Sequence, residues 1–253
     1  PINFATDMTP VTCNGGADGS IEVINVTGGT APYEYSNDGG ATWQASPIFG
    51  GLVAATYNMQ VRDANLCTSA VVPTDVTQPD AIAFVPVVNQ NVTCNGDSDG
   101  EIEITNVTGG IAPYEYSNDN GVTFQASPIF SGLPAGDYDM VVRDANLCVT
   151  ASQQVTITQP DPITYDAAVN QNVTCNGGSD GIIEITNVLG GTAPYEYSID
   201  NGVTYQVAAL FNGLPAGDYN VIVRDVNLCL SDVTPLTITE PDVVDFDTDM
   251  TPV

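Results

Sequence analysis

One feature limits what this chain can fold into more than any other: it repeats itself. Val11-Thr12-Cys13-Asn14-Gly15 returns as Val92-Thr93-Cys94-Asn95-Gly96 and again as Val173-Thr174-Cys175-Asn176-Gly177, a step of 81 residues each time. Arg62, Arg143 and Arg224 keep the same register, each followed by Asp and then by Asn-Leu-Cys. A period of 81 residues is too long for a solenoid unit and suits a small domain with its own core. The expected organisation is therefore a tandem array, with repeats at 1–79, 80–160 and 161–241. Residues 246–253 nearly copy residues 4–11, so 242–253 reads as the first strand of a following repeat, and the chain as an internal piece of a longer polypeptide.

Within a repeat the pattern is that of short strands. Glu101-Ile102-Glu103-Ile104-Thr105 alternates with period two, which marks a strand with one buried face. Gly109-Gly110 and Pro113 separate it from Tyr114–Ser117, and Asp119-Asn120-Gly121 reads as a hairpin turn with Val122-Thr123-Phe124 returning. Tyr138, Met140 and Val142 share a face of a further strand, and Val155–Thr158 closes the unit. About six or seven short strands with turns roughly every ten residues predict an all-β fold of tandem immunoglobulin-like antiparallel β-sandwich domains. Tyr138, after Ala-Gly-Asp, resembles a tyrosine corner.

Each repeat holds two cysteines: Cys13 and Cys67, Cys94 and Cys148, Cys175 and Cys229. Pairing within each repeat, one intra-domain disulfide per sandwich, is the expectation. The alternatives are bonds between neighbours such as Cys67 and Cys94, which would strand Cys13 and Cys229, or six buried thiols. Two cysteines without histidine fall short of a zinc shell. Disulfides imply an oxidising compartment, hence export.

Charge excludes several functions. The chain has 31 Asp+Glu against three Lys+Arg and no His, a net charge of −28, yet 43% of residues are hydrophobic, enough for a core. Nucleic-acid binding needs basic clusters, and none is present; no apolar run is long enough for membrane insertion as a helix. An enzyme is not expected: without His, Lys or a nucleophile elbow only paired carboxylates remain, and these would recur as three identical sites. No cofactor is required. Calcium is the one ligand that the carboxylates suggest, through Asp18 with Glu22, Asp97 and Asp99 with Glu103, and Asp180 with Glu184; the competing reading is an Asp-Gly turn with Glu facing water. Arg62, Arg143 and Arg224 are expected to pair with a carboxylate on an adjacent strand or to serve an interface between subunits. Trp43, Phe124 and Tyr205, one per repeat after the hairpin, are candidates for a core or domain contact, or for stacking on a glycan.

The segments Cys-Asn-Gly-x-x-Asp-Gly-x-Ile, Gly-Gly-x-Ala-Pro-Tyr-x-Tyr-Ser, Leu-Pro-Ala-Gly-Asp-Tyr and Val-Arg-Asp-Ala-Asn-Leu-Cys together resemble the SprB repeat family. The resemblance implies an exported protein of the bacterial cell surface, often delivered by the type IX system, acting in adhesion or gliding. The chain departs from the family pattern in carrying Leu before the second cysteine, where Gly is expected. The linkers at Gln78-Pro79-Asp80, Gln159-Pro160-Asp161 and Glu240-Pro241-Asp242 leave no flexible spacer. The functional expectation is an extracellular structural or adhesive array, a stiff acidic stalk of roughly 110–120 Å for three sandwiches. Its partners would be neighbouring repeats of the same chain. The alternatives are a self-assembling filament of several copies, joined by strand exchange or cation bridges, and a glycan-binding module.

Overall fold

The computed structural model describes residues 1–246. They are all-β, with eighteen strands and no helix among them. Repeat 1 contributes β1 (Asn3–Thr9), β2 (Gly19–Thr27), β3 (Glu34–Ser36), β4 (Ile48–Leu52), β5 (Ala55–Arg62) and β6 (Val72–Val76). Repeat 2 contributes β7 (Ala83–Gln90), β8 (Gly100–Thr108), β9 (Glu115–Ser117), β10 (Ile129–Leu133), β11 (Gly136–Arg143) and β12 (Gln153–Ile157). Repeat 3 contributes β13 (Thr164–Gln171), β14 (Gly181–Leu189), β15 (Glu196–Ser198), β16 (Leu210–Leu214), β17 (Gly217–Arg224) and β18 (Thr234–Ile238).

Each repeat makes the same two antiparallel sheets of three strands. In repeat 1 these are β1-β2-β4 and β3-β5-β6, and the order recurs as β7-β8-β10 with β9-β11-β12 and as β13-β14-β16 with β15-β17-β18. First, second and fourth strands against third, fifth and sixth is the strand partition of an immunoglobulin-type sandwich lacking its fourth, edge strand. Tyr57 and Tyr219 complete tyrosine corners, donating hydrogen bonds to the carbonyls of Val53 (3.1 Å) and Pro215 (2.8 Å).

Alternation builds the core. In β2 the side chains of Ile21 and Val23 point inward while Glu22 faces solvent, and they meet Met59 and Val61 of β5, Phe49 and Leu52 of β4, and Val76 of β6. Ile183, Ile185, Val221, Val223 and Ile238 fill the same places in repeat 3. Asn25 has φ 56°, and the β1–β2 register shifts opposite it, a bulge that Asn tolerates because its short polar side chain can occupy the left-handed region.

The described residues fall into two compact units, one of residues 1–87, 102–130 and 137–155, the other of 88–101, 131–136 and 156 onward. The second repeat contributes to both.

Three expectations change. Val122-Thr123-Phe124 is not a returning strand; only an isolated bridge from Tyr116 to Gln125 forms there, because side chains rather than a ladder hold the turn. Of the first strand expected at 242–253, residues 242–246 carry no strand, and 247–253 lie outside the described residues. The cysteine pairing also differs: Cys13 bonds Cys148 and Cys94 bonds Cys229, while Cys67 and Cys175 are free. No Cys13–Cys67, Cys94–Cys148 or Cys175–Cys229 bond forms, so the sandwich has no intra-domain disulfide.

The reason is the length of a strand. The Cys13 loop is fixed at the end of repeat 1 from which the chain leaves, where the Val11 N–H donates to the Thr77 carbonyl. The Cys67 loop is fixed at the opposite end, where the Thr30 N–H donates to Asp63 and a side chain on Gly28 or Gly29 would collide with Pro1 or Ile2. Strand β2 runs between those ends, and nine residues span about 30 Å. Disulfide bonding requires Cα atoms within about 7 Å.

The buried methionine gives a test of this core. Met59, with no exposed surface, is expected on replacement by Ala to cost about 3 kcal/mol from lost burial and the residual cavity. Urea denaturation should show a lower midpoint for that repeat with an unchanged m-value.

Candidate functional site: the joint between repeats

The exit end of one repeat and the opposite end of the next meet at a disulfide, once inside each compact unit. In the first joint the first-cysteine loop of repeat 1 is pinned to its own linker. Asn14 Nδ2 donates to the Pro79 carbonyl at 3.0 Å, and the Gly15 N–H donates to Gln78 Oε1 at 2.8 Å. Asp18 closes the loop by accepting from the Thr12 N–H at 3.0 Å. In the second joint Asn95, Gly96 and Asp99 make the equivalent bonds to Pro160, Gln159 and Thr93. The Thr12 and Thr93 hydroxyls and N–H groups hold the carboxyls of Asp18 and Asp99 below the usual carboxylate range.

The other half of each joint is the Asp-x-Asn-Leu-Cys loop, organised by one buried aspartate. Asp144 is 2% exposed; its Oδ1 accepts from the N–H groups of Asn146 and Cys148, and its Oδ2 from that of Ile111, each at 2.9 Å. Asp225 and Asp63 do the same with Asn227, Cys229 and Thr192, and with Asn65, Cys67 and Thr30. Burial pushes the Asp63 carboxyl up, and the three N–H donors more than offset this, so its pKa lies below the ordinary value. Leu66, Leu147 and Leu228 have φ 63°, 64° and 67°. The family's Gly would occupy that left-handed region without strain; here Leu takes it, and the turn is retained.

Cys148 and Cys229 emerge from these loops onto Cys13 and Cys94, with Cα atoms 5.5 and 5.4 Å apart. Asn146 Nδ2 lies 3.5 Å from the Thr12 carbonyl across the first joint. A cleft of 370 Å³ runs beside that bond, bordered by Asp80, Ile82, Asp144 and Leu147, and one of 220 Å³ lies beside Cys94–Cys229. Each disulfide closes 135 residues, and on the chain-entropy model that removes about 5 kcal/mol of freedom from the unfolded ensemble.

The arginines lie elsewhere, each inside its own repeat. Arg62, Arg143 and Arg224 donate from Nε to Glu34, Glu115 and Glu196 on the adjacent strand at 2.6, 2.6 and 2.7 Å. Each guanidinium also stacks over Trp43, Phe124 or Tyr205, at 4.6, 4.0 and 3.8 Å from the ring centroid. One face of each of these three partly buried aromatic rings is thus covered by the arginine of its own repeat. Sequence alone offered the aromatic and the arginine as separate candidates; their common 81-residue register was the signal that could have joined them.

The calcium candidates do not gather. Asp18, Asp99 and Asp180 accept bonds from Thr12, Thr93 and Thr174 within their turns, and Glu184 accepts from Asn170. Glu22 and Glu103 project from strands, and Asp97 sits in the exposed loop after Cys94. Among the described residues no group of three or more His, Cys, Asp or Glu could hold a metal ion.

A second set of carboxylates, absent from the sequence-based candidates, holds the turn after the third strand. The buried hydroxyl of Ser117 donates to Asp119 at 2.6 Å and accepts from the Gly121 N–H at 2.9 Å, while Thr123 donates to Asp119 from both N–H and hydroxyl. Partial burial pushes Asp119 up, but the donors outweigh it and bring its pKa down to about 2; Asp200 is likewise at about 2.

Three outcomes are expected. A carboxylate with a lowered folded pKa contributes stability above its unfolded pKa and loses it as pH falls through the folded one. Carbon-detected NMR titration should therefore place the Asp119 and Asp200 midpoints near pH 2, with the turns loosening only between the ordinary value of 3.8 and that point. Arg143→Ala should cost about 1–2 kcal/mol in urea denaturation, the sum of a half-exposed ion pair and a cation–π contact; Arg143→Lys should recover only part, lacking the planar stack. Asp144→Ala leaves three N–H groups without their acceptor, so it should destabilise repeat 2 by about 2–4 kcal/mol and raise the free-thiol content at Cys13 and Cys148.

The comparisons with known proteins follow the same register. The SprB repeat model matches residues 5–42, 87–123 and 167–204, once in each repeat. No curated protein matches the chain by sequence. Among solved structures, three N-terminal domains of the bacteriophage RB49 Highly Immunogenic Outer Capsid protein align over 95% of this chain and 99% of that one, at 12% identity and a TM-score of 0.37. The chicken CNTN1 FN1–FN3 domains align over 95% and 98% at 11% identity and a TM-score of 0.25. Domains 4–9 of the surface layer protein SbsC align over 95% of this chain and 47% of that one, at 10% identity and a TM-score of 0.25. The chain thus carries three matches to the SprB repeat in tandem, one in each of its own repeats.

Proposed function

We propose that the chain is a segment of an extracellular, cell-surface stalk, whose work is to hold a distal part of its parent protein at a fixed reach rather than to catalyse a reaction. The observation that carries this reading is the covalent joint. A sandwich array with ordinary linkers leaves neighbouring domains free to swing, because interfaces between domains in one chain are small and polar. Here a disulfide bonds consecutive repeats directly, at Cys13–Cys148 and Cys94–Cys229, in addition to the proline-containing peptide linker. Two covalent connections per boundary restrict bending far more than one does.

Three further features support the reading. Disulfides persist outside the cytosol, which agrees with export. The net charge of −28 makes neighbouring repeats repel, which favours extension and discourages lateral clumping. The three SprB repeat matches add the expectation of adhesion or gliding at a bacterial surface, with neighbouring repeats of the same chain as the first partners.

The test is small-angle scattering on the oxidised and fully reduced chain. The oxidised protein should scatter as a stiff, extended particle with a single maximum dimension. Reduction should leave the sandwiches folded and broaden the distance distribution. Indistinguishable profiles in the two states would remove the joint as the source of stiffness.

A further inference from the structure

The two disulfides overlap. Cys13–Cys148 and Cys94–Cys229 each bridge a sequence separation of 135, and the second begins inside the loop that the first closes. Overlap gives the chain covalent short cuts past its own cores. One route runs from Pro1 along β1 to Cys13, crosses to Cys148, and continues through β12, the Gln159-Pro160-Asp161 linker and β13 to Cys175. The other runs from Cys67 through β6, its linker and β7 to Cys94, then crosses to Cys229 and β18. Neither enters the second to fifth strands of any repeat, which hold Ile21, Met59, Val61 and their counterparts. We propose that these routes are tension straps: a pull along the array is borne by first strands, last strands and disulfides, and the cores are left unloaded.

Three observations carry this. The strap segments are already drawn out, since a β-strand rises about 3.3 Å per residue against a limit of about 3.6 Å for a fully extended chain. Their ends are fixed, because Asp18 and Asp99 close the first-cysteine loops and Asp144 and Asp225 the second-cysteine loops. Force therefore reaches each disulfide without first unravelling a loop. The two routes also brace each other inside every repeat. The N–H groups of Val11, Val92 and Val173, just past the first strands, donate to the carbonyls of Thr77, Thr158 and Thr239, just past the last strands, at 2.8, 2.9 and 3.0 Å. Thr6 and Thr74 hydroxyls meet at 3.2 Å between β1 and β6, and Gln153 of β12 donates to the Phe84 carbonyl of β7 at 3.1 Å. Tyr165 of β13 donates to the Asp232 carbonyl, before β18, at 3.1 Å. In each pair one strand belongs to one route and its neighbour to the other.

The consequence is a limit on stretch that the cores alone could not set. Between Pro1 and Cys175 the strap holds about 40 residues and reaches ~140 Å when fully extended, whereas the uninterrupted peptide holds about 170 and reaches ~600 Å. An array held only by its cores would lengthen by roughly 250 Å each time a repeat of 81 residues opened.

This inference deepens the stalk reading and rests on it, yet the two can fail separately. Scattering reads the bending of the free chain, and a chain that swings at its joints can still resist stretch. The test is single-molecule force spectroscopy on the Cys67→Ser chain, in which Cys175 is the remaining free thiol. One handle is joined there through a thioether, the other to the Pro1 amine, which the absence of lysine makes selective. The oxidised chain should stop lengthening near ~140 Å without a repeat-sized step, and the reduced chain should show two such steps and a ceiling about fourfold longer. Met59→Ala on the same background should leave the oxidised trace unchanged while lowering the force of one step in the reduced chain. A repeat-sized step in the oxidised chain would overturn the proposal. So would an oxidised trace that weakens with Met59→Ala, because the core would then be carrying load.

Discussion

Everything distinctive about this array depends on a polarity in the module: its two cysteine loops sit at opposite ends of a sandwich about one long strand in length. A disulfide cannot span that distance, so neither cysteine can staple the domain that carries it. Each becomes a connector, one facing the following repeat and the other the preceding one. The module itself is held by its sandwich core, built from Ile21, Val23, Met59, Val61 and their equivalents, and by side-chain bonds within the repeat, with no disulfide of its own. The disulfide instead sets the relation between modules within each compact unit.

Such a connector needs rigid ends, and aspartate supplies them. A chain with three cations cannot fix its loops by ion pairing, so it uses carboxylates as acceptors for backbone N–H groups. Asp144 and Asp225 are buried with three such donors each, and Asp18, Asp99 and Asp180 close the opposite loops through Thr hydroxyls and N–H groups. Asp119 and Asp200 do the same for the turn after the third strand. Part of the acidity that looks like a cation-binding surface in the sequence is this internal work. The three arginines stay inside their repeats, each clamped between a glutamate and an aromatic face.

Much of the module was legible in the sequence. Period-two alternation at Glu101–Thr105 located β8, and the Ala-Gly-Asp-Tyr turn located the tyrosine corner. Strand β10, Ile129–Leu133, was not legible, because Phe130 and Gly132 give it little alternation and its identity comes from pairing with β8. The hairpin at Asp119-Asn120-Gly121 was misread for a different reason: a turn of that composition can be followed by a strand, but the Ser117–Asp119–Thr123 side-chain bonds hold the next residues off the ladder. Cysteine spacing alone does not select the pairing. The pairing that forms skips two intervening cysteines, and only the placement of loops at module ends selects it. Leu147 looked like a departure from the family's turn, yet the backbone there is the one glycine would adopt.

Proteolysis of the oxidised, alkylated chain followed by mass spectrometry without reduction distinguishes disulfides that join repeats from disulfides that staple them. The expected result is two linked peptide pairs, Cys13 with Cys148 and Cys94 with Cys229, and alkylated thiols at Cys67 and Cys175. Linkage of Cys13 to Cys67, Cys94 to Cys148 and Cys175 to Cys229 would contradict the account.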